Sequence, residues 1–178
     1  MNPSPISEHD HVDGSPEASV TLIEYGDYEC PFCAQAYPII EKARQSMGNE
    51  LRFVYRHVPK AGPAGFAKQA AEASEFAASE GRFWPMHRQL SLHPGELDLE
   101  HLVEHARSVG LDPETCRAAL VEHRFAERVR EIAVASVRSG IIGTPTLFVN
   151  GQRYQDRLEE PLLQDALRAA FDKRAADR

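Results

Sequence analysis

A chain of 178 residues with 42% hydrophobic and 26% charged content holds enough apolar material for one sizeable core with room for an insertion. Its formal charge of −7, without any block of Lys or Arg, leaves no basic surface to neutralise phosphates, so nucleic acid is not an expected partner. No apolar run approaches the roughly 20 residues that cross a bilayer, so membrane insertion is not expected either.

The opening "MNPSPISEHDHVDGSPEAS" has no periodicity and many turn formers, and residues 1–17 read as a loose arm in which His9 and His11 carry no argument. It lacks the basic start and apolar middle of a secretory signal. The chain as written is therefore expected in the cytoplasm, or in the periplasm or outside the cell if a leader precedes it. "VTLIEY", residues 20–25, is a short β-branched run that reads as a strand covered on both faces. Its alternation sets Val20, Leu22 and Glu24 on one side, and Glu24 is a carboxylate where the pattern asks for an apolar side chain. After Cys30 the spacing becomes helical, with Ala36, Ile40, Ala43 and Met47 inward and a stop at Gly48. "LRFVYRHV", residues 51–58, reads as a second strand and completes a strand–helix–strand start.

Residues 61–140 read as an all-helical insertion. Phe66, Ala70, Ala73 and Ala77 form one stripe, and "FWPMHRQL" opens a short helix whose first turn tolerates Pro85. Asp98 is a candidate N-cap for a helix with Leu99, Leu102, Val103 and Ala106 inward, and Asp112-Pro113 starts the next. Phe125, Val129, Ile132 and Ser136 mark a last one closing at Gly140. Strand character then returns in "TLFVNGQRY", two β runs about Asn150-Gly151, a strong two-residue hairpin signal. A final helix carries Leu162, Leu163, Ala166, Leu167 and Ala170 on its apolar side.

Three cysteines in a chain this long are chemistry plus one spare rather than a stapled fold. Cys30-Pro31-Phe32-Cys33 follows a strand and opens a helix, and residues three apart on a helix are near enough to join as a disulfide. At the helix N-terminus, unpaired N–H groups and the macrodipole favour a thiolate, which makes Cys30 the nucleophile. Cys33, one turn in, suits the resolving role. Far along the chain, "GTPT", residues 143–146, places a Thr-Pro step ahead of a strand, where a proline can be fixed cis.

"EYGDYECPFC" and "GTPTLFVNG", with the long interval between Cys33 and Pro145, resemble the DsbA-like branch of the thioredoxin superfamily. The resemblance covers about residues 18–175. It implies an α/β thioredoxin fold formed by residues 18–60 and 141–178, with the helical insertion between its halves. It implies a thiol–disulfide oxidoreductase that needs no cofactor beyond its own cysteines. Its partners would be protein or small-molecule thiols and disulfides, with a redox protein or glutathione exchanging electrons. Cys30 is then the nucleophile, Cys33 the resolving thiol and Pro145 the cis-proline. The Thr144 backbone pairs with a bound polypeptide that also meets Phe32. Glu24 matches the buried acid that serves Cys33, its pKa raised by desolvation. Phe32 stands where the best-known DsbA pattern has a histidine, which implies a less favoured Cys30 thiolate and a less oxidising disulfide.

Other readings weigh less. A zinc site needs four ligands, and no second cysteine pair or matching histidine pair accompanies Cys30 and Cys33. His101-Leu102-Val103-Glu104-His105 has an inverzincin spacing, but at about 100° per residue both histidines point away from the apolar face and read as solvated. No metal is expected. Cys116 shares a face with Ala119 and Leu120 and reads as core. Phe83, Trp84 and Met86 read as core or groove lining. A redox-switched chaperone or sensor would use the groove without turnover, and a kappa-type glutathione transferase relative would carry a lone serine or cysteine in place of the pair.

Overall fold

The computed structural model describes residues 3–8, 10–59 and 65–176. His9 and the expected start of the insertion at 61–64 lie outside the described residues. The strands are β1 (His11–Asp13), β2 (Val20–Gly26), β3 (Leu51–His57), β4 (Thr146–Val149) and β5 (Gln152–Arg153). They form one sheet in the order β1-β3-β2-β4-β5, with β2 parallel to β3 and the other neighbours antiparallel. Helix α1 (Pro31–Met47) links β2 to β3, and α7 (Glu160–Ala176) follows β5. Between β3 and β4 run α2 (Ala67–Ser79), α3 (Phe83–Leu92), α4 (Leu99–Ser108), α5 (Pro113–Val121) and α6 (Ala126–Arg138). No described helix is long and apolar enough to cross a membrane.

The alternation of β2 sorts its side chains as the sequence pattern requires. Val20 and Leu22 join Phe53, Tyr55, Leu147 and Val149 in the larger cluster beneath α1, α7 and the inserted helices. Ile23 and Tyr25 join Val54, Ile141 and Phe148 in a smaller cluster on the other face. The central strand is therefore covered on both sides, which fits its near-continuous apolar run. Asn150 (φ 46°) and Gly151 (φ 82°) both take the left-handed conformation that a tight β4–β5 hairpin demands. Asp98 accepts from the backbone N–H groups of Glu100 and His101, and Asp112 accepts from that of Thr115, so both expected caps form.

Four expectations need correction. The N-terminal arm is not loose throughout: His11–Asp13 pairs antiparallel with Phe53–Tyr55 as an edge strand. His105 is not solvated, because the segment ahead of α4 folds over it, its Nε2 lies 3.0 Å from the Glu96 carbonyl and its ring stacks on His93. His101 does face solvent and pairs with Asp98. Phe66 lies one residue before α2 and is 43% exposed, and Leu162, in the first turn of α7, is 38% exposed, so neither completes its stripe. Cys116 is fully buried beside Ala119 and Leu120, as core.

Candidate active site

The geometry of the site begins in the sheet. β2 and β4 pair antiparallel with Tyr25 opposite Thr146, so the chain leaving β2 toward Cys30 and the chain entering β4 through Thr144-Pro145 emerge at the same edge. Cys30 is the N-cap of α1, extended at φ −78° and ψ 118°, and Pro31 occupies the first turn, where its missing N–H removes no helical bond. The Cys30 carbonyl accepts from the N–H groups of Cys33 and Ala34 and so starts the helix. The Thr144–Pro145 peptide is cis. Cys30 Sγ donates to the Thr144 carbonyl oxygen at 3.3 Å.

The two thiols sit in unlike surroundings. Burial works against ionisation of Cys30, but Thr144 beside it and the backbone N–H groups of Cys33 and Phe32 outweigh it and hold the thiol below its ordinary value. Cys33 is pushed well above, by burial first and then by the nearby Glu24. Both residues are largely covered, with 4% of Cys30 and 8% of Cys33 exposed, whereas Phe32 between them is 64% exposed. Ile142, two residues before Thr144, is 91% exposed, so the segments carrying Cys30 and Thr144 each present an exposed apolar side chain.

Glu24 lies on β2 opposite Tyr55 and Leu147 and is 4% exposed. Burial, reinforced by Glu41 and offset in part by Arg44, pushes its pKa up to about 8. The carboxyl is therefore protonated at neutrality and exchanges its proton just above it. It lines a small cavity with Cys33, which places acid and thiol on one space. Asp27, Tyr28, Tyr55 and His87 line the same space and did not stand out in the sequence. His87 sits in a stretch that reads as plain helical core, so no local signal marks it.

A second cluster joins distant elements. One carboxylate oxygen of Glu75 meets His11 Nε2 at 2.7 Å and His57 Nε2 at 3.2 Å, and its other oxygen lies 3.7 Å from Arg128 Nε. The two imidazoles and the carboxylate are a metal-capable donor set, their ligand atoms within 4.8 Å of one another. Arg128 already supplies a cation to Glu75 and Ser74 Oγ lies 3.2 Å from His57 Nε2, so hydrogen bonds and an ion pair account for the set. It corrects the reading of His11, which ties β1 to α2.

The sequence profile of the thioredoxin family matches residues 7–173, and the chain belongs to that family. Its fold is the DsbA-like form of the thioredoxin fold, with helices inserted between β3 and β4. Oxidised BdbD from Bacillus subtilis superposes with a TM-score of 0.86 at 23% identity, over 97% of this chain and 98% of that one. Alpha-DsbA1 from Wolbachia pipientis gives 0.82 at 15% identity, over 97% and 96%. A thioredoxin-like oxidoreductase from Silicibacter pomeroyi gives 0.79 at 27% identity, over 93% and 94%. A protein named Na(+)/H(+) antiporter NhaA 1, from Salinispora arenicola, is 40% identical over 92% of this chain and 25% of its own length. The chain thus spans about a quarter of the curated relatives it matches, and the shared part overlaps the thioredoxin portion.

Proposed function

We propose that the protein is a thiol–disulfide oxidoreductase that exchanges disulfides with protein or small-molecule thiols through Cys30 and Cys33. The observation that carries this reading is the placement of the Cys30 sulfur at a helix N-terminus, 3.3 Å from the carbonyl ahead of Pro145, with Cys33 one turn behind. In the reducing direction the Cys30 thiolate attacks a partner disulfide, one partner sulfur leaves as thiolate, and a Cys30–partner disulfide forms. Cys33 then gives up its proton to the ionised form of Glu24 and attacks Cys30. The Cys30–Cys33 bond forms, the bond to the partner breaks, and the partner departs reduced while the cysteine pair is oxidised. Oxidation of a partner dithiol runs the same steps backward, and there the protonated Glu24 supplies the proton that the departing Cys33 thiolate needs.

Phe32 and Ile142 suit a partner that brings apolar side chains, as an unfolded polypeptide does, and the Thr144 backbone is the pairing edge for its main chain. Glutathione or a dedicated redox protein would reset the cysteine pair. The part shared with the antiporter-named proteins is thioredoxin sequence, so this reading assigns the chain disulfide exchange and not ion transport.

Insulin reduction and refolding of reduced ribonuclease, run on wild type and Cys30→Ser, test the reading. Turnover in wild type that disappears in Cys30→Ser supports it. Absence of turnover in both proteins refutes it and favours a redox-switched binding module on the same apolar surface.

A further inference from the structure

Behind Cys33 the core contains a cavity of about 10 Å³, the space that the centre of a single water requires. Glu24 reaches it from β2, Asp27 and Tyr28 from the following loop, Cys33 from α1, Tyr55 from β3 and His87 from α3. Tyr37 of α1 also lines it, and the charged groups acting on Glu24 from α1 are Glu41 and Arg44.

His87 is 3% exposed and is fixed by its neighbours. Its Nδ1 lies 3.0 Å from Tyr28 Oη, its ring centroid is 4.5 Å from that of Tyr55, and it stacks on Phe83. Its Nε2 is buried with no hydrogen-bond partner among the described residues. Buried polar atoms are bonded to protein or to ordered water in the great majority of cases, and an orphaned one is costly. The polar, water-sized cavity that His87 lines supplies the partner.

Building on the disulfide-exchange reading, we infer that His87 is a positioning residue for the Cys33 step, holding one water in this cavity that carries the proton between Cys33 and Glu24. With Tyr28 O–H donating to Nδ1, the His87 Nε2–H donates to the water oxygen, leaving its other lone pair for the Cys33 S–H and one of its hydrogens for the Glu24 carboxylate. When Cys33 attacks the Cys30–partner disulfide in protein whose Glu24 is ionised, its S–H proton passes to the water and a water proton passes to the Glu24 carboxylate, a form that gains population as pH approaches about 8. When Cys33 leaves as thiolate, the same protons return. Water is regenerated in both directions, and no electrons move beyond the disulfide exchange itself. Burial holds His87 far below the ordinary histidine value, reinforced by His57, Arg44 and His11, so the imidazole stays neutral and acts by hydrogen bonding alone. A helix of the inserted block thereby sets the proton path of the thioredoxin cysteines.

Ellman's reagent separates the steps. Cys30 attack releases one thionitrobenzoate in a concentration-dependent phase, and Cys33 resolution releases the second in a concentration-independent phase. We expect His87→Phe to slow the second phase about tenfold and shift its pH profile while leaving the first phase unchanged. His87→Gln, which keeps an N–H at the Nε2 position, should stay within about threefold of wild type. A second phase unaffected by His87→Phe, or slowed equally by both substitutions, overturns the inference. Should His87→Phe fail to fold, a high-resolution crystal structure of the wild type decides: a water on His87 Nε2 supports the role and an empty cavity removes it. A wild type lacking any second phase would overturn the exchange reading itself, whereas two phases indifferent to residue 87 remove only the positioning role.

Discussion

Cys30 Sγ and the Thr144 carbonyl oxygen lie 3.3 Å apart although 114 positions separate the residues. The Thr144 hydroxyl is buried without a hydrogen-bond partner among the described residues, so it can turn toward the sulfur once the thiol ionises. A thiolate gains from such a donor and a neutral thiol gains little. In Cys33→Ser, the rate of iodoacetamide alkylation of Cys30 should rise with a midpoint below the ordinary thiol value of about 8.5. Thr144→Val should move that midpoint back up. Cys116, buried and with its pKa pushed up to about 11, should stay unmodified in the native protein. Mass spectrometry of native Cys33→Ser at pH 7 should show a single adduct, and labelling of Cys116 there would contradict the burial described above.

Glu24 makes stability depend on pH in a defined sense. Its folded pKa is about 8 against an ordinary 4.5. Between these values the unfolded chain has released the proton and the folded chain retains it, so the folded state binds more protons and stability falls as pH rises. The contribution is greatest below 4.5 and is lost by about pH 8, at roughly 1.4 kcal/mol per unit. Glu24→Gln removes the penalty. It should be more stable than wild type at pH 7 by on the order of 3 kcal/mol, with the gap closing below pH 4.5. Urea unfolding at pH 4 and pH 7 checks this, and equal gaps at the two pH values would rule out Glu24 as the source. The same variant should slow the Cys33 phase.

The Phe32 side chain, unlike its backbone N–H, offers the Cys30 thiolate no polar group, since its ring is apolar and 64% exposed. The reduced form should therefore be stabilised less than with a cationic or hydrogen-bonding neighbour. We expect a reduction potential between roughly −120 and −270 mV, the strong-oxidant and thioredoxin ends of the range. Phe32→His should raise it by about 20–60 mV, since about 30 mV corresponds to about 1.4 kcal/mol for this couple. Equilibration with glutathione gives both numbers. A wild-type value at the strong-oxidant end would show that residue 32 does not limit the thiolate.

What could be read from sequence, and what could not, divides by the range of the interaction. Val20–Tyr25, the α1 stripe, the Asp98 and Asp112 caps and the Asn150-Gly151 turn are local, and each formed as its residues required. The cis Thr144–Pro145 step beside Cys30 was legible because motif and spacing name these residues together, and the buried Glu24 because it breaks an alternation. β1 was missed because three residues carry no period. His11, His57 and Glu75 meet only in the tertiary fold, each looking alone like a surface polar residue, and His105 was misplaced because its cover comes from the chain preceding its own helix. His87 had no signal at all, since an imidazole on a buried helical face differs from core filler only through the atoms around it.

Arg56 belongs to the same class and governs how the N-terminal arm is held. It lies on β3 and is 6% exposed. Its Nε and Nη2 donate to the two carboxylate oxygens of Asp10 at 2.6 and 2.7 Å, a paired geometry that a planar guanidinium suits. Nη1 donates to the Tyr25 hydroxyl at 2.7 Å and to the Ser4 carbonyl at 3.0 Å, and Nη2 also reaches the Pro5 carbonyl at 3.0 Å. One side chain thus satisfies a part-buried carboxylate, a tyrosine of the central strand and two carbonyls of the arm. Arg56→Ala leaves the Asp10 charge without its partner and should cost about 3–5 kcal/mol. Arg56→Lys, a point charge without the fork, should recover less than half of that. Asp10→Ala combined with Arg56→Ala should cost less than the sum of the single changes, because removing the carboxylate also removes the unpaired charge. Urea unfolding measures all three, and limited proteolysis should cut Arg56→Ala ahead of β1 sooner than wild type. If Arg56→Ala unfolded at the wild-type midpoint with the arm equally resistant, the arm would be held by β1 pairing, the His11–Glu75 contact and its other contacts without help from Arg56.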